Sequence, residues 1–186
     1  GETLALQGNW DEAQKWINKA NRMAPTDSRV LLTTGIYYYW KRDYKKSIQY
    51  FSFINPQNDN SKFFISLSYV ADNNSTKAIE VLKTQNPMTN SGGGKALLAY
   101  ALIKNNQTEE AKKILKSIEE LNQVVEYRSA VCYVALGEYD KALALLNQYF
   151  ERQGNWMTWF KYDKVWDPIR NDKRYIKLLK KMRFDR

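Results

Sequence analysis

The side chains most often used for acid–base, nucleophilic and metal chemistry are scarce in this chain. Its 186 residues include no histidine and a single cysteine, Cys132. Without histidine, the usual general base and the commonest metal ligand are missing. One cysteine cannot form an internal disulfide or a cysteine-rich metal site. Because Cys132 lies in the apolar run 130–136, we interpret it as a small core residue rather than a nucleophile.

A glycine-rich run is the second candidate for chemistry. The run Ser91-Gly92-Gly93-Gly94-Lys95 has part of the pattern of a phosphate-binding loop. That loop needs a glycine five positions before its Gly-Lys pair, a following serine or threonine, and a preceding strand. Thr89 and Ala96 stand at the first two positions. We therefore expect a flexible turn leading into a helix over 95–104, and we expect no enzyme activity, no cofactor and no metal.

Two stretches of the chain match each other at an offset of 34 residues, and the matched side chains are mostly small or bulky apolar ones. The pairs are Gly1 with Gly35, Leu4 with Tyr38, Trp10 with Tyr44, Ala13 with Ser47, Ile17 with Phe51 and Ala20 with Ile54. A unit of this kind buries its apolar face against its neighbours in the chain. The offset therefore predicts a stack of helical hairpins.

The repeat continues through small side chains at intervals of 34, 31, 33 and 31 residues. These are Ala13, Ser47, Ala78, Ala111 and Ala142. A tyrosine or leucine precedes each of the last four by nine positions: Tyr38, Tyr69, Leu102 and Tyr133. Small residues are expected where two helix backbones approach, because bulk there causes strain. The spacing predicts five hairpins, the first of them shortened.

These motifs resemble the tetratricopeptide repeat. The match is carried by Thr34-Gly35-x-x-Tyr38 with Tyr44, Ser47 and Phe51, by Gly8-x-Trp10-x-x-Ala13, and by Gly137-x-Tyr139-x-x-Ala142. The resemblance implies an all-α fold, a right-handed superhelical solenoid of antiparallel helix hairpins over residues 1–151. Asn73 and Asn106 stand where glycine is usual, and Asn106 with Glu109 has the spacing of a helix start.

The segment 152–186 differs in composition and is expected to form C-terminal capping helices. Trp156, Trp159, Phe160, Tyr162 and Trp166 lie within eleven residues of each other. A solenoid needs an atypical end unit to cover its last core face, so a hydrophobic cap is favoured over an aromatic ligand site. Asp167 and Asp172 are expected to cap helices. The last helix is expected to bury the stripe Tyr175, Ile176, Leu179 and Met182.

Residues 166–179 carry a second resemblance. The stretch Trp166-Asp167-Pro168-Ile169-Arg170-Asn171-Asp172-x-Arg174-Tyr175-x-x-Leu178-Leu179 is similar to the end of tetratricopeptide arrays in bacterial signalling proteins. In those proteins an adenylate cyclase or a winged-helix transcription regulator precedes the repeats. The resemblance implies that this chain is the C-terminal part of a larger bacterial signalling or regulatory protein, with a further domain upstream.

The tetratricopeptide resemblance also implies a binding groove lined by the first helix of each hairpin. The corresponding positions are Arg29, Leu32, Ile36, Tyr39, Trp40, Phe63, Leu67, Tyr100, Ile103, Lys104, Tyr127 and Val131. We expect this groove to bind a protein or peptide partner, or a helix of the upstream part, mainly through aromatic side chains. In chaperone-binding members, lysines and asparagines clamp a terminal carboxylate, which the apolar positions here cannot do. The alternative is that superhelical winding buries several of these rings.

Net charge leaves one further alternative open. The chain carries +9, and residues 161–186 have ten Lys or Arg against four Asp, a difference of +6. Such a basic segment could associate with nucleic acid, although lysines opposite an apolar stripe ordinarily form a solvated face. The longest apolar stretch, 96–103, is far too short to span a bilayer. We expect a cytoplasmic or periplasmic protein, any signal segment lying upstream of Gly1.

Overall fold

A computed structural model describes residues 1–85, 92–120, 126–152 and 159–182. Within those ranges the chain is helical and contains no strand, so the all-α fold class is confirmed. The residues divide into two compact units, Gly1–Asn86 and Pro87–Arg186. The sequence boundary predicted at 151 falls inside the second unit, which holds both repeat helices and the C-terminal segment.

The first unit is built from three helical hairpins in succession. Its helices are α1 (Glu2–Leu6), α2 (Trp10–Met23), α3 (Ser28–Trp40), α4 (Tyr44–Ser52), α5 (Asp59–Ala71) and α6 (Ser75–Lys83). Each hairpin pairs neighbouring helices, and α2 also packs on α3 as α4 does on α5. The first hairpin is shortened as predicted, because α1 has only five residues.

The second unit contains two hairpins and a C-terminal segment. Its helices are α7 (Gly92–Lys104), α8 (Thr108–Glu120), α9 (Glu126–Ala135), α10 (Tyr139–Glu151), a 3-10 helix (Lys164–Ile169) and α11 (Lys173–Lys181). The hairpins are α7–α8 and α9–α10, and α7 packs on α9. The 3-10 helix lies against α9, and α11 contacts α10.

The small residues of the repeat are fully buried. Ala13, Ser47, Ala78, Ala111 and Ala142 all have no solvent-exposed surface, as the spacing predicted. Ser47 shows why a polar side chain is tolerated at such a position. Its hydroxyl donates to the Gly35 carbonyl over 2.8 Å and lies 2.9 Å from the hydroxyl of Ser68, which in turn donates to the Phe64 carbonyl. Hydrogen bonding offsets the cost of burying these hydroxyls.

All five hairpins reverse the chain through the same turn. At its centre one residue has a left-handed backbone conformation: Gly8, Arg42, Asn73, Asn106 or Gly137. The N–H of the next residue donates to the carbonyl of Leu4, Tyr38, Tyr69, Leu102 or Tyr133. This is the Schellman pattern, in which a left-handed residue lets the last free carbonyls of a helix find donors. Glycine and asparagine adopt that conformation most readily, and Arg42 is the departure.

The sequence prediction that Asn106 caps a helix is wrong. Asn106 is the left-handed residue of its turn, and α8 begins only at Thr108, so Asn106 does not cap the helix. In these turns the N-cap of the second helix is the residue after the left-handed one, so the cap lies one position later than predicted.

The glycine run over 92–94 is not a turn. Helix α7 begins at Gly92, and both Gly92 and Gly94 are buried in its first turn despite the poor helix propensity of glycine.

The C-terminal segment also differs in detail from expectation. Asp163, not Asp167, caps the 3-10 helix by accepting from the Val165 N–H, while Asp167 forms an ion pair with Arg170. Asp172 caps α11 as predicted.

The buried stripe of α11 has a spacing different from the one predicted. Tyr175 and Leu178 are fully buried, with Leu179 and Met182 half-buried beside them, whereas Ile176 is 39% exposed. A helical period of 3.6 residues places 175, 178, 179 and 182 on one face and turns 176 away from it.

Aromatic rings form the interior of the second unit. Trp166 is fully buried, and its indole N–H donates to the Tyr127 hydroxyl over 3.0 Å. Phe160 packs on both Trp166 and Tyr175, with ring centroids 5.3 and 4.3 Å apart. Trp159 is buried as well, while Trp156 lies outside the described residues. The buried rings of Trp159, Phe160 and Trp166 therefore offer no open face to an aromatic ligand.

Candidate functional site

The predicted groove positions divide into a buried and an accessible group. Seven of the twelve are at most 9% exposed: Ile36, Tyr39, Trp40, Leu67, Tyr100, Tyr127 and Val131. The remaining five have solvent access, Arg29 and Lys104 being exposed and Leu32, Phe63 and Ile103 half-buried. Among the aromatic anchors expected from sequence, only Phe63 is accessible. The other four rings are buried, which is the alternative that the sequence left open.

Tyr127 illustrates why those rings cannot serve a partner directly. Its ring lies edge-on to Trp166 at 5.2 Å and also contacts Tyr149 at 5.7 Å. Burial raises the pKa of its phenol well above the ordinary value, and the nearby carboxylate of Asp163 raises it further. Tyr127 is thus a core residue whose hydroxyl is used by Trp166. Tyr39 is likewise packed, with its ring 5.6 Å from that of Tyr44.

Leu32 and Phe63 are the accessible apolar members of the predicted groove in the first unit. Leu32 lies on α3 and Phe63 on α5, and they differ by 31 positions, the same interval that separates Ser47 from Ala78. They therefore occupy equivalent places in consecutive hairpins. Phe63 is backed by the core, because its ring stands edge-on to Phe64 at 5.4 Å. The pair forms a supported apolar surface on the first helices of their hairpins.

Arg29, a positively charged residue at the start of α3, lies three residues before Leu32. Asp27 caps α3 by accepting from the Arg29 and Val30 N–H groups. The Arg29 guanidinium lies 3.4 Å from the Asp27 carboxylate, and its side chain is 92% exposed. Hydrogen bonding from Arg29, through side chain and backbone, lowers the pKa of Asp27. An exposed ion pair of this kind is weak, so Arg29 is available to an acidic group of a partner.

Chemistry at Cys132 is disfavoured by its surroundings. The thiol has no exposed surface and donates to the Ala96 carbonyl over 3.2 Å. Burial raises its pKa to about 12, so it stays protonated at neutral pH. This agrees with the core role predicted from sequence. Nowhere in the described ranges do three His, Cys, Asp or Glu side chains cluster in a way that could hold a metal ion.

We expect Cys132 to react with thiol reagents only when the protein opens. The folded thiol ionises near pH 12, whereas an unfolded cysteine ionises near about 8.5, so at pH 9 only the unfolded chain presents much thiolate. Because the folded pKa is raised, the stability that this thiol contributes is complete below about 8.5 and is lost as pH rises toward 12. Labelling followed against urea concentration measures this. Rapid labelling of the folded protein at pH 9 would contradict it.

The outer faces of α2 and α4 were missed at the sequence level. Trp16 and Met23 on α2 are 49% and 76% exposed, and Phe53 at the end of α4 is 56% exposed. A signal was present, since the offset of 34 that pairs Ala13 with Ser47 also pairs Trp16 with Tyr50. Aromatic residues thus recur at a position that faces outward.

The positively charged residues of α11 are of two kinds: lysines that face solvent, and Arg174, which forms ion pairs. Lys173, Lys177, Lys180 and Lys181 are exposed on the side of α11 opposite its buried stripe, which is the solvated face expected from sequence. Arg174 instead binds Asp140 and Asp172, and its hydrogen bonding lowers the pKa of Asp172 to about 2.

Comparison with known families agrees with the hairpin architecture. A family model described as a tetratricopeptide repeat matches residues 125–155, a range that contains α9 and α10. The matched range is a small part of the chain, and the consecutive helix hairpins of the other described ranges are similar to the architecture of such a repeat array. Such repeats generally mediate protein–protein interaction, and all-helical folds of this type are typically non-catalytic scaffolds. A search of curated proteins finds no match to the chain.

None of the helices in the described ranges combines the length and apolar character needed to cross a bilayer.

Proposed function

We propose that this protein is a non-enzymatic scaffold that binds a peptide or helix of a partner protein on the first helices of its hairpins. The contact surface in the first unit is Leu32 and Phe63, with Arg29 as a charged neighbour. In the second unit, the accessible members of the predicted groove are Ile103 and Lys104. The buried residues of the predicted groove hold these side chains in place and do not touch the partner.

The observation that carries this proposal is the accessibility of Leu32 and Phe63 at equivalent places of consecutive hairpins. A single exposed apolar side chain is normal on a protein surface, but a recurrence in register is not expected by chance. Two anchors one repeat apart can engage alternate side chains of one peptide. Phe63 is backed by Phe64, so little ordering is needed when a partner covers it.

Replacing either Leu32 or Phe63 with alanine should weaken peptide binding about thirtyfold, and replacing both should weaken it further. Truncating a central apolar anchor typically costs about 2 kcal/mol, and each 1.4 kcal/mol is tenfold in affinity. Peptides are selected from a displayed random library on the wild-type chain, and their affinities are measured by calorimetry. The matched control is Met23→Ala, which truncates an exposed apolar side chain at the end of α2 in the same unit.

Two outcomes separate the possibilities. Loss of binding in L32A/F63A with binding retained in M23A supports the proposed surface. Equal affinity of the selected peptides for wild type and L32A/F63A would rule this surface out as the binding site. Circular dichroism of both variants checks that folding is preserved, as expected for side chains that are not fully buried.

We further propose that the chain is the C-terminal part of a larger bacterial signalling or regulatory protein in the cytoplasm or periplasm. What supports this is the resemblance of residues 166–179 to the ends of tetratricopeptide arrays in such proteins. In that setting the partner could be a domain upstream in the same polypeptide. The complete reading frame tests the proposal, and a full-length protein with no regulatory domain would contradict it.

A further inference from the structure

The outer face of α4 presents a row of one cation and two aromatic rings. Lys46, Tyr50 and Phe53 follow at intervals of four and three residues, so they lie on one side of the helix and its end. Lys46 and Phe53 are exposed and Tyr50 is half-buried. The side chain of Phe53 is 56% exposed, although full burial of such a ring is worth about 1.5–3 kcal/mol.

These rings are held in a defined arrangement. Tyr50 stacks on Tyr38 of α3 with ring centroids 5.5 Å apart and planes 11° from parallel. Phe53 stands edge-on to Tyr50 at 6.3 Å, and the Lys46 ammonium lies 5.1 Å from the centre of the Tyr38 ring. Tyr38 also contacts Tyr37, whose hydroxyl donates toward Gln14 of α2. The surface is therefore supported by packed residues, as a binding surface requires.

Helix α2 carries the counterpart of this row one repeat earlier. Subtracting 34 from Tyr50 and Phe53 gives Trp16 and Lys19. Trp16 is 49% exposed, and the Lys19 ammonium lies 5.0 Å from the centre of its ring. Equivalent positions of consecutive hairpins face the same side of a repeat array. We name these residues the outer aromatic surface: Trp16, Lys19, Lys46, Tyr50 and Phe53.

The charge around this surface is positive. Residues 10–53 contain eight Lys or Arg and four Asp or Glu, a net of +4. Glu12 and Asp43 lie 3.2 Å from Lys15 and Lys46, but these ion pairs are exposed and weak, so the lysines can exchange them for carboxylates of a partner. A second copy would bring the same positive surface, because a symmetric dimer pairs identical patches, and would be repelled. An acidic partner would be attracted.

We propose that the outer aromatic surface binds an acidic peptide segment that carries apolar or aromatic side chains. Its carboxylates pair with Lys19 and Lys46, and its apolar side chains cover Trp16, Tyr50 and Phe53. Single-stranded nucleic acid fits less well, because base stacking needs open ring faces. Here Tyr38 and Tyr50 stack on each other and Lys19 lies over Trp16. This surface is separate from Leu32 and Phe63 and does not depend on their role.

A differential selection tests this proposal. A displayed random-peptide library is enriched on the wild-type chain and then depleted on Y50A/F53A, so that only peptides needing this surface remain. We expect the surviving peptides to be rich in Asp and Glu with interspersed aromatic residues. They should bind F53A about thirtyfold more weakly than wild type. Ile176→Ala, which truncates an exposed apolar side chain in the second unit, should leave their affinity unchanged.

A charge reversal and a competitor complete the test. Lys19→Glu, at the lysine that lies over the Trp16 ring on α2, should weaken binding at low salt, whereas Lys113→Glu, an exposed lysine of α8, should not. Survivors that are neutral or basic, or no survivors, would overturn the proposal. An oligothymidylate that binds wild type more tightly than the peptides, and loses affinity for F53A, would assign the surface to nucleic acid instead. Dimerisation of wild type but not F53A in sedimentation would assign it to a second copy.

Discussion

Replacing Trp166 with alanine should lower the free energy of unfolding of the second unit by about 3–5 kcal/mol. The indole has no exposed surface and packs against Tyr127 of α9 and Phe160 of the C-terminal segment. Its removal leaves a cavity where the 3-10 helix meets α9. It also leaves the buried Tyr127 hydroxyl without its indole donor. Urea denaturation followed by far-ultraviolet circular dichroism measures the change.

Two matched variants distinguish the loss of the indole N–H from the loss of the ring, and a buried tryptophan from an exposed one. Trp166→Phe keeps an aromatic ring but removes the N–H, so its cost should fall between those of wild type and Trp166→Ala. Trp16→Ala removes the same side chain from a half-exposed position on α2 and should cost much less. If Trp166→Ala were no more damaging than Trp16→Ala, the C-terminal segment would not be part of the core of the second unit.

The parts of the fold that could be predicted from sequence are those set by local and periodic requirements. The five small residues recur at fully buried places of the hairpins, where a bulkier side chain would cause strain. The turns were signalled by Gly8, Gly137 and the asparagines at 73 and 106, because few residue types tolerate the left-handed conformation. Arg42 carries no such signal, so its turn was evident only from the repeat spacing.

The exposure of groove residues could not be predicted in the same way. A residue of a first helix at a groove position can face solvent or pack against neighbouring helices, and an aromatic side chain suits either place. Tyr39 and Phe63 are both aromatic groove positions, yet Tyr39 is buried against Tyr44 while Phe63 keeps solvent access. Whether a groove ring such as Tyr39 or Phe63 is buried depends on how the neighbouring helices pack, and the residue type alone does not fix that packing.

The second large effect is expected at Gly35, where α3 passes closest to α4. A Cβ atom added at Gly35 would lie 2.4 Å from Phe51 Cε1 and 2.7 Å from two further ring atoms. Phe51 has no exposed surface and is stacked on Phe64 at 5.7 Å, so the ring cannot move aside freely. Gly35→Ala should therefore cost about 1–3 kcal/mol through overpacking, despite the roughly 1 kcal/mol that alanine gains over glycine within a helix.

Gly137→Ala provides the comparison, because its cost has a different origin. No atom lies within 4 Å of the added Cβ, but the backbone has φ of +79°, which costs alanine about 1–2 kcal/mol. Shrinking the neighbour should rescue only the first variant. Phe51→Leu in a Gly35→Ala background should cost less than Phe51→Leu alone, whereas it should be additive with Gly137→Ala. Urea denaturation of the six proteins measures both couplings. If the stability effects were additive in both double variants, the size of the Phe51 ring would not be the reason that position 35 is glycine.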